Sequence, residues 1–101
     1  MRSNYVELKY TRMFIFQDVP VLFYLDGHSK FRAFFPPVGR EESFVSFLRK
    51  IASYVIENYT AEQIRDNPDV RIPLDLFDKE DEEFIKFLTD LNLMVINEEE
   101  K

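Results

Sequence analysis

The sequence predicts an α+β fold, in which an N-terminal antiparallel sheet packs against C-terminal helices. Residues 4–35 contain short stretches of alternating apolar and polar side chains, as strands do, whereas residues 41–59 carry apolar side chains at helical spacing. A chain of 101 residues has the usual size of one domain. We therefore expect a single domain over residues 1–97 and a frayed acidic tail over residues 98–101.

The N-terminal segment, residues 4–16, is predicted to form one long strand or two short ones. Most of its apolar side chains share one parity, with Arg12 as the exception: Val6, Leu8, Tyr10, Phe14 and Phe16. Residues 17–20 are predicted to be a connection, because Pro20 lacks an N–H for a ladder and disfavours a helix before it.

Residues 21–35 carry the clearest local signal, that of a β-hairpin. Two apolar-rich stretches, residues 21–25 and 30–35, flank Asp26-Gly27-His28-Ser29. An Asp-Gly pair suits the positive φ angles of a tight hairpin turn. We therefore expect His28, the one histidine of the sequence, to be a turn residue.

Three helices are predicted after the hairpin. Residues 41–59 carry a wide apolar stripe at 3.6-residue spacing, formed by Phe44, Phe47, Leu48, Ile51, Ala52, Val55 and Tyr59. Thr60 and Gln63 have the spacing of a capping box, which predicts a short helix over residues 60–66. The third helix is predicted over residues 78–92, with Asp78 as its cap.

Two further extended segments are predicted in the C-terminal half. Apolar residues alternate with polar ones over residues 70–76, and Pro73 confines this segment to a sheet edge if it is a strand. Residues 93–96 are expected to add a short last strand.

Composition restricts the classes of function. The chain has no cysteine, which excludes disulfides and thiolate chemistry and fits a reducing compartment. Glu7, Lys9 and Arg12 interrupt the apolar residues that a signal peptide would need, and no apolar run approaches the ~20 residues of a membrane span. We expect a cytoplasmic protein that does not enter a membrane.

The formal net charge of −6 is unevenly distributed. Residues 1–50 carry eight Lys/Arg and five Asp/Glu, whereas residues 51–101 carry five and fourteen. This asymmetry predicts one basic and one acidic side and an oriented association with a charged partner. The alternative is that acidic helices simply keep the protein in solution.

No set of residues indicates catalysis or metal binding. His28 has no identifiable nucleophile or orienting partner, and the chain lacks ligands at zinc-site spacing. The acidic run of residues 78–83 lacks the central glycine of a calcium loop and suits a helix N-terminus, or else the docking of a basic partner. Two glycines cannot form a glycine-rich phosphate loop. We predict a protein that is not an enzyme and binds neither metal nor cofactor.

The hairpin supplies the candidate binding surface. If the turn centred on Asp26-Gly27 has an even length, parity divides the hairpin into two faces. One face collects residues suited to a core, namely Leu22, Tyr24, Phe31, Ala33 and Phe35. The other face mixes apolar and basic residues and is the candidate protein-binding site, formed by Val21, Phe23, Leu25, Lys30, Arg32 and Phe34.

Three explanations fit this mixed face. Another element of the same chain could cover it, with the basic side chains reaching solvent at its edge. A protein partner or a second protomer could cover it, because aromatic residues and arginine are enriched in interface centres. Single-stranded nucleic acid could stack on it, although a net charge of −6 disfavours binding of a polyanion.

Residues 22–57 resemble the HicB-type antitoxin module. The stretch Tyr24-Leu25-Asp26-Gly27, followed by Phe31-Arg32-Ala33-Phe34-Phe35-Pro36 and an amphipathic helix, is similar to the two strands and helix of that family. The chain departs from the family pattern by lacking a third strand before the helix and by having Pro37 where an acidic residue is usual. The resemblance implies an acidic inhibitor of a basic, RNA-cleaving toxin.

The leading hypothesis is an intracellular, non-enzymatic protein-interaction module that acts as an inhibitor, adaptor or small subunit. Small acidic proteins that mobile elements encode to block a host complex fall in this class. The alternatives are a single-stranded nucleic-acid binding protein, a HicB-like antitoxin, and a small enzyme whose carboxylate site has no recognisable motif.

Overall fold

The computed structural model describes residues 2–66 and 70–100. Within these ranges the chain forms strands and α-helices in the order ββββααβαβ. The strands are β1 (Arg2–Leu8), β2 (Thr11–Phe16), β3 (Val19–Leu25), β4 (Phe31–Ala33), β5 (Arg71–Pro73) and β6 (Met94–Glu100). The helices are α1 (Glu41–Asn58), α2 (Ala61–Asp66) and α3 (Glu82–Asp90). The predicted α+β fold class is confirmed.

The described strands form two three-stranded antiparallel sheets. The first has the order β5-β1-β6, and the second, which we call the hairpin sheet, has the order β2-β3-β4. The two sheets separate at Tyr10, which takes a left-handed φ of 57° between β1 and β2. The N–H of Lys9 donates to the Leu93 carbonyl at 2.8 Å, which holds this turn against the end of α3. The predicted segment 4–16 therefore consists of two strands that belong to different sheets.

The connection predicted at residues 17–20 is only two residues long. Gln17 and Asp18 have φ angles of 50° and 67°, as a type I′ turn requires. Phe16 and Val19 pair directly across this turn. β2 and β3 therefore form a tight hairpin of their own.

Pro20 lies inside β3, opposite Ile15. Hydrogen-bonded and non-hydrogen-bonded pairs alternate from the turn, so the nitrogen of Pro20 points away from β2. On that side β4 pairs only with residues 23–25. Proline is tolerated here because no neighbouring strand needs its N–H.

The predicted helices over residues 41–59 and 60–66 are confirmed to within one residue at each end. Thr60 and Gln63 form the expected capping box. The Gln63 N–H donates to Thr60 Oγ1 at 3.1 Å, and the Thr60 N–H donates to Gln63 Oε1 at 2.8 Å. Asn67 and Pro68, a pair that disfavours continuation of a helix, follow α2 and lie outside the described residues.

The helix predicted over residues 78–92 is shorter in the structure. Residues 79–81 form a 3₁₀ turn, and Asp78 caps it by accepting a hydrogen bond from the N–H of Glu80 at 3.1 Å. The α-helical hydrogen bonds begin only at Glu82. The predicted capping role of Asp78 is thus confirmed, although Asp78 caps the 3₁₀ turn and not the α-helix itself.

The end of α3 leads directly into β6. Asn92 has a φ of 61°, and the N–H of Leu93 donates to the Leu88 carbonyl at 2.9 Å, which is a Schellman motif. β6 then pairs with β1 along its whole length, as far as Glu100. Residues 98–100 therefore belong to a strand, so the predicted frayed tail is wrong for them. Lys101 lies outside the described residues.

The core lies between α1, α3 and the inner faces of both sheets. Its buried apolar residues are Val6, Leu8, Leu22, Phe44, Phe47, Leu48, Ile51, Val70, Ile72, Phe84, Ile85, Leu88, Leu93 and Met94. β5 is the edge strand predicted from Pro73, and it continues into a 3₁₀ turn over residues 74–76. No helix within the described residues is long and apolar enough to cross a membrane.

Candidate functional site

The loop between β3 and β4 sets the two faces of the hairpin. Asp26 donates its N–H to the Lys30 carbonyl at 2.9 Å, so three residues, 27–29, close the loop. The left-handed φ in this loop, 60°, belongs to Ser29 rather than to Gly27. This is the three-residue hairpin loop in which a turn is followed by a left-handed residue. The loop therefore has an odd number of residues, and the expectation of an even length is wrong.

The resulting register separates the six predicted site residues into two groups. Phe23 pairs with Ala33, and Leu25 pairs with Phe31. Val21, Phe23 and Leu25 therefore lie on the side of the sheet that faces away from α1. Lys30, Arg32 and Phe34 have the opposite parity. The prediction that all six share one face is wrong, because a one-residue slip moves every side chain of a strand to the other face.

The second group lies elsewhere: Lys30 and Arg32 lie at the loop, and Phe34 packs against the core. Arg32 forms an ion pair with Asp26, and Lys30 is exposed at the end of the loop. The Phe34 ring packs against the core, with its centroid 5.2 Å from that of Phe44. The Arg32 guanidinium, followed by the amide N–H groups of Lys30 and His28, holds the pKa of Asp26 below its usual range. The ion pair between Arg32 and Asp26 thus links β4 to the start of the loop.

The outward side of the hairpin sheet is a continuous apolar surface. It extends beyond the hairpin onto β2, because Phe14 pairs with Val21 and Phe16 pairs with Val19. We call this surface the outer face. Its residues are Arg12, Phe14, Phe16, Val19, Val21, Phe23, Leu25, Phe31 and Ala33.

Three phenylalanine rings form a cluster on the outer face. The centroids of Phe14 and Phe23 lie 5.5 Å apart with an edge-to-face angle of 81°. Phe16 lies 6.3 Å from both rings. Phe14, Phe16 and Phe31 nevertheless remain 51%, 55% and 54% exposed. Phe14 and Phe16 contact each other and Phe23, yet about half of each of them, and of Phe31, stays in water.

Phe14, Phe16 and Phe31 lie on the outer face but are not among the residues predicted for the candidate site. Phe31 was assigned to the core because the loop was assumed to be even. Phe14 and Phe16 were grouped by parity with Val6 and Leu8, which are buried, because the turn at Tyr10 was not recognised. A two-residue turn at Gln17-Asp18 aligns β2 with β3, and this alignment places Phe14 and Phe16 on the same face as Phe23.

The acidic run of residues 78–83 is engaged within the protein. Lys50 Nζ lies 3.1 Å from Asp78 Oδ2 and 2.6 Å from Asp81 Oδ2, and Arg40 forms an ion pair with Glu83. The Lys50 ammonium holds the pKa of Asp78 below its usual range. In the described part of the chain, no group of three or more His, Cys, Asp or Glu side chains could hold a metal ion.

Comparison with protein-family models, curated proteins and solved structures found no match to this chain. β3, β4 and α1 do follow one another in the strand–strand–helix order of the HicB-type resemblance, while residues 34–40 form no strand. The function is therefore argued below from the outer face itself.

Proposed function

We propose that this chain is a non-enzymatic binding protein whose outer face docks onto an apolar surface of a partner protein. The observation that carries this proposal is the half-exposed aromatic cluster on an ordered sheet. Antiparallel sheets commonly present polar residues to water on their uncovered side, and the outer face does not. Exposed aromatic patches of this kind mark interaction sites.

The three exposed rings supply only part of the contact area that a stable interface needs. A phenylalanine offers about 150–250 Å² of surface, so three half-exposed rings leave on the order of 300 Å² uncovered. Stable dimers bury about 800 Å² on each partner. A partner must therefore also contact other residues of the outer face, such as Val19 and Leu25, and the flanks of its strands.

The charge around the outer face supports a partner with an acidic rim. Arg12 is the one charged residue among its nine positions. Residues 11–40, which hold the whole hairpin sheet, carry four Lys/Arg and two Asp/Glu. One arginine is too few to hold the phosphates of a nucleic-acid strand, which argues against the nucleic-acid alternative. The absence of cysteine supports a reducing compartment, and we propose the cytoplasm.

A capture experiment with matched variants tests the proposal. The wild-type chain, the double variant Phe16→Ser/Phe31→Ser and the control Phe87→Ser are each immobilised and exposed to lysate of the source cells. Phe87 is 43% exposed and lies on α3, so its loss removes a similar, partly exposed ring from a different element. Captured proteins are quantified, and the leading candidate is purified for direct affinity measurement.

We expect a partner that the wild type and Phe87→Ser bind equally and that the double variant binds about 30-fold more weakly or worse, since hot-spot truncations typically cost ~2 kcal/mol or more. Thermal unfolding should show all three chains folded. Equal binding by the double variant would overturn the proposal. Capture that nuclease abolishes and that falls steeply with salt would support the nucleic-acid alternative instead. Dimerisation that the double variant loses would identify a second copy as the occupant.

A further inference from the structure

The inner side of the hairpin sheet borders an apolar groove that the outer face does not share. The groove runs between β2, α1 and α2 and has a volume of about 490 Å³, within the range of about 300–1,000 Å³ typical of small-molecule sites. Its walls are apolar, with Met13, Ile15 and Leu22 on the sheet side and Ile51, Val55 and Ile64 on the helical side.

Apolar side chains remain in water along this groove. Ile15 is 58% exposed and Ile64 is 36% exposed, although both line a concave surface. Ala52, a small residue in the middle of α1, helps leave the space open. An apolar chain lying in the groove would remove these side chains from water at about 25 cal/mol per Å².

Two arginines give the groove a charge opposite to that of the whole protein. Arg12 and Arg65 line it from different elements, β2 and α2, and none of the described lining residues is a carboxylate. Arg12 donates to the Thr11 carbonyl at 2.8 Å, which places its guanidinium at the free edge of β2. Arg65 contacts Asp66 only through an exposed pair at 3.4 Å, and such pairs contribute little.

Each guanidinium has five N–H donors, so both arginines can bind a further anion while they keep these contacts. Thr11 adds a hydroxyl group to the same wall, and its residue is only 8% exposed. Cations beside an otherwise apolar groove match a ligand with one anionic end and a long apolar body. At about 30 Å³ for each water-sized group, the groove of about 490 Å³ has room for a chain of roughly a dozen or more carbons.

We propose that this groove binds a free, single-chain carboxylic acid of medium length, with its hydrocarbon chain between the hairpin sheet and α1 and its carboxylate held by Arg12 and Arg65. The groove and the outer face lie on opposite sides of the hairpin sheet, and Arg12, at the free edge of β2, is the one described residue that they share.

Binding of dodecanoate below its micellar concentration tests this proposal. Calorimetry measures the affinity of the full chain for dodecanoate and for dodecanol, which has the same chain without the charge. Methyl-labelled methionine gives a second readout, because Met13 lines the groove whereas Met94 is buried in the core and does not. We expect saturable binding of one dodecanoate that shifts the Met13 methyl signal and leaves that of Met94 in place.

Variants separate the two ends of the ligand. Arg12→Gln/Arg65→Gln should weaken dodecanoate binding at least tenfold and leave dodecanol binding unchanged, whereas Ala52→Phe should abolish both by filling the groove. Arg49→Gln, on the exposed part of α1 outside the groove, is the charge-matched control and should change neither. Because the arginine pair lies at the surface, it still tests the proposal if Ala52→Phe misfolds.

Four results would overturn the proposal. The first is equal affinity of the wild type for the acid and the alcohol, and the second is dodecanoate binding that survives in the arginine double variant. The third is a Met13 methyl signal that does not shift when dodecanoate is added. The fourth is binding to phospholipid vesicles but not to free dodecanoate. The last of these would indicate a membrane surface rather than a free acid as the ligand.

Discussion

Lys50 Nζ lies 2.6 Å from Oδ2 of Asp81, and this ion pair joins α1 to the turn that begins α3. The Asp81 side chain is only 5% exposed, and its carboxylate also accepts a hydrogen bond from the Asp78 N–H at 3.0 Å. The Lys50 side chain itself is 31% exposed. The partly solvated Lys50 ammonium therefore compensates the negative charge of the buried Asp81 carboxylate.

Replacing Lys50 by methionine should leave the Asp81 carboxylate buried without its cation. We expect the free energy of unfolding to fall by about 1–3 kcal/mol, less than for a fully buried pair because water screens Lys50. Urea denaturation measures this change. Lys86→Met, at an exposed position of α3, is the control and should change stability by less than about 0.5 kcal/mol. Equal effects of the two substitutions would show that the ion pair is not important.

Stability should depend on pH through Asp26 and Asp78, whose pKa values are held below the ordinary value by Arg32 and Lys50 respectively. A carboxylate with a lowered folded pKa stabilises the fold above its unfolded pKa of about 3.9, and this contribution is lost as pH falls through the folded value. Thermal unfolding followed from about pH 6 to pH 2 should show a decline that is shallower in Asp26→Asn/Asp78→Asn. An unchanged decline would contradict the assignment.

Lys50 predicts the opposite dependence at high pH. Its hydrogen bond to Asp81, with Asp78 as a second partner, raises its pKa above the ordinary value. A raised folded pKa stabilises the fold below the unfolded pKa of about 10.4, and the contribution disappears as pH rises through the folded value. Unfolding midpoints above about pH 10 should therefore fall in the wild type and less so in Lys50→Met.

Two isoleucines of α1 provide a matched test of how the helix packs. Ile51 is 2% exposed in the core, whereas Ile56 is 72% exposed. Ile51→Ala should lower the free energy of unfolding by about 2–5 kcal/mol, since it removes buried methyl groups and leaves a cavity. Ile56→Ala should change it by less than about 0.5 kcal/mol. Equal losses would mean that α1 turns a different face to the core.

The β2–β3 turn should be stabilised by glycine. Asp18 has a φ of 67°, a left-handed conformation that disfavours residues with a Cβ. Asp18→Gly should raise the free energy of unfolding by up to about 1 kcal/mol, because relief of this conformation exceeds the entropy gained by the unfolded chain. Arg49→Gly, at an exposed position inside helix α1, should instead lower stability by about 0.5–1 kcal/mol. A loss at both positions, measured by urea denaturation, would contradict a type I′ turn.

Much of the local structure follows from the sequence alone, because its causes are local. The apolar stripe of residues 41–59 and the capping box of Thr60 and Gln63 depend on side chains within a few residues of each other, and both are present as predicted. Pro73 likewise placed its strand at a sheet edge, since a missing N–H is a property of that residue.

The candidate surface depended on tertiary structure, because strand parity carries no information about register. One residue in the loop after Asp26 decided whether Phe31 or Arg32 joined Phe23 on the outer face. The turn at Tyr10 decided that β2 left the sheet of β1 and brought Phe14 and Phe16 beside the same residue. The sequence by itself determined the fold class and the helices, whereas pairing between strands, which depends on contacts between residues far apart in the chain, decided which aromatic side chains face water.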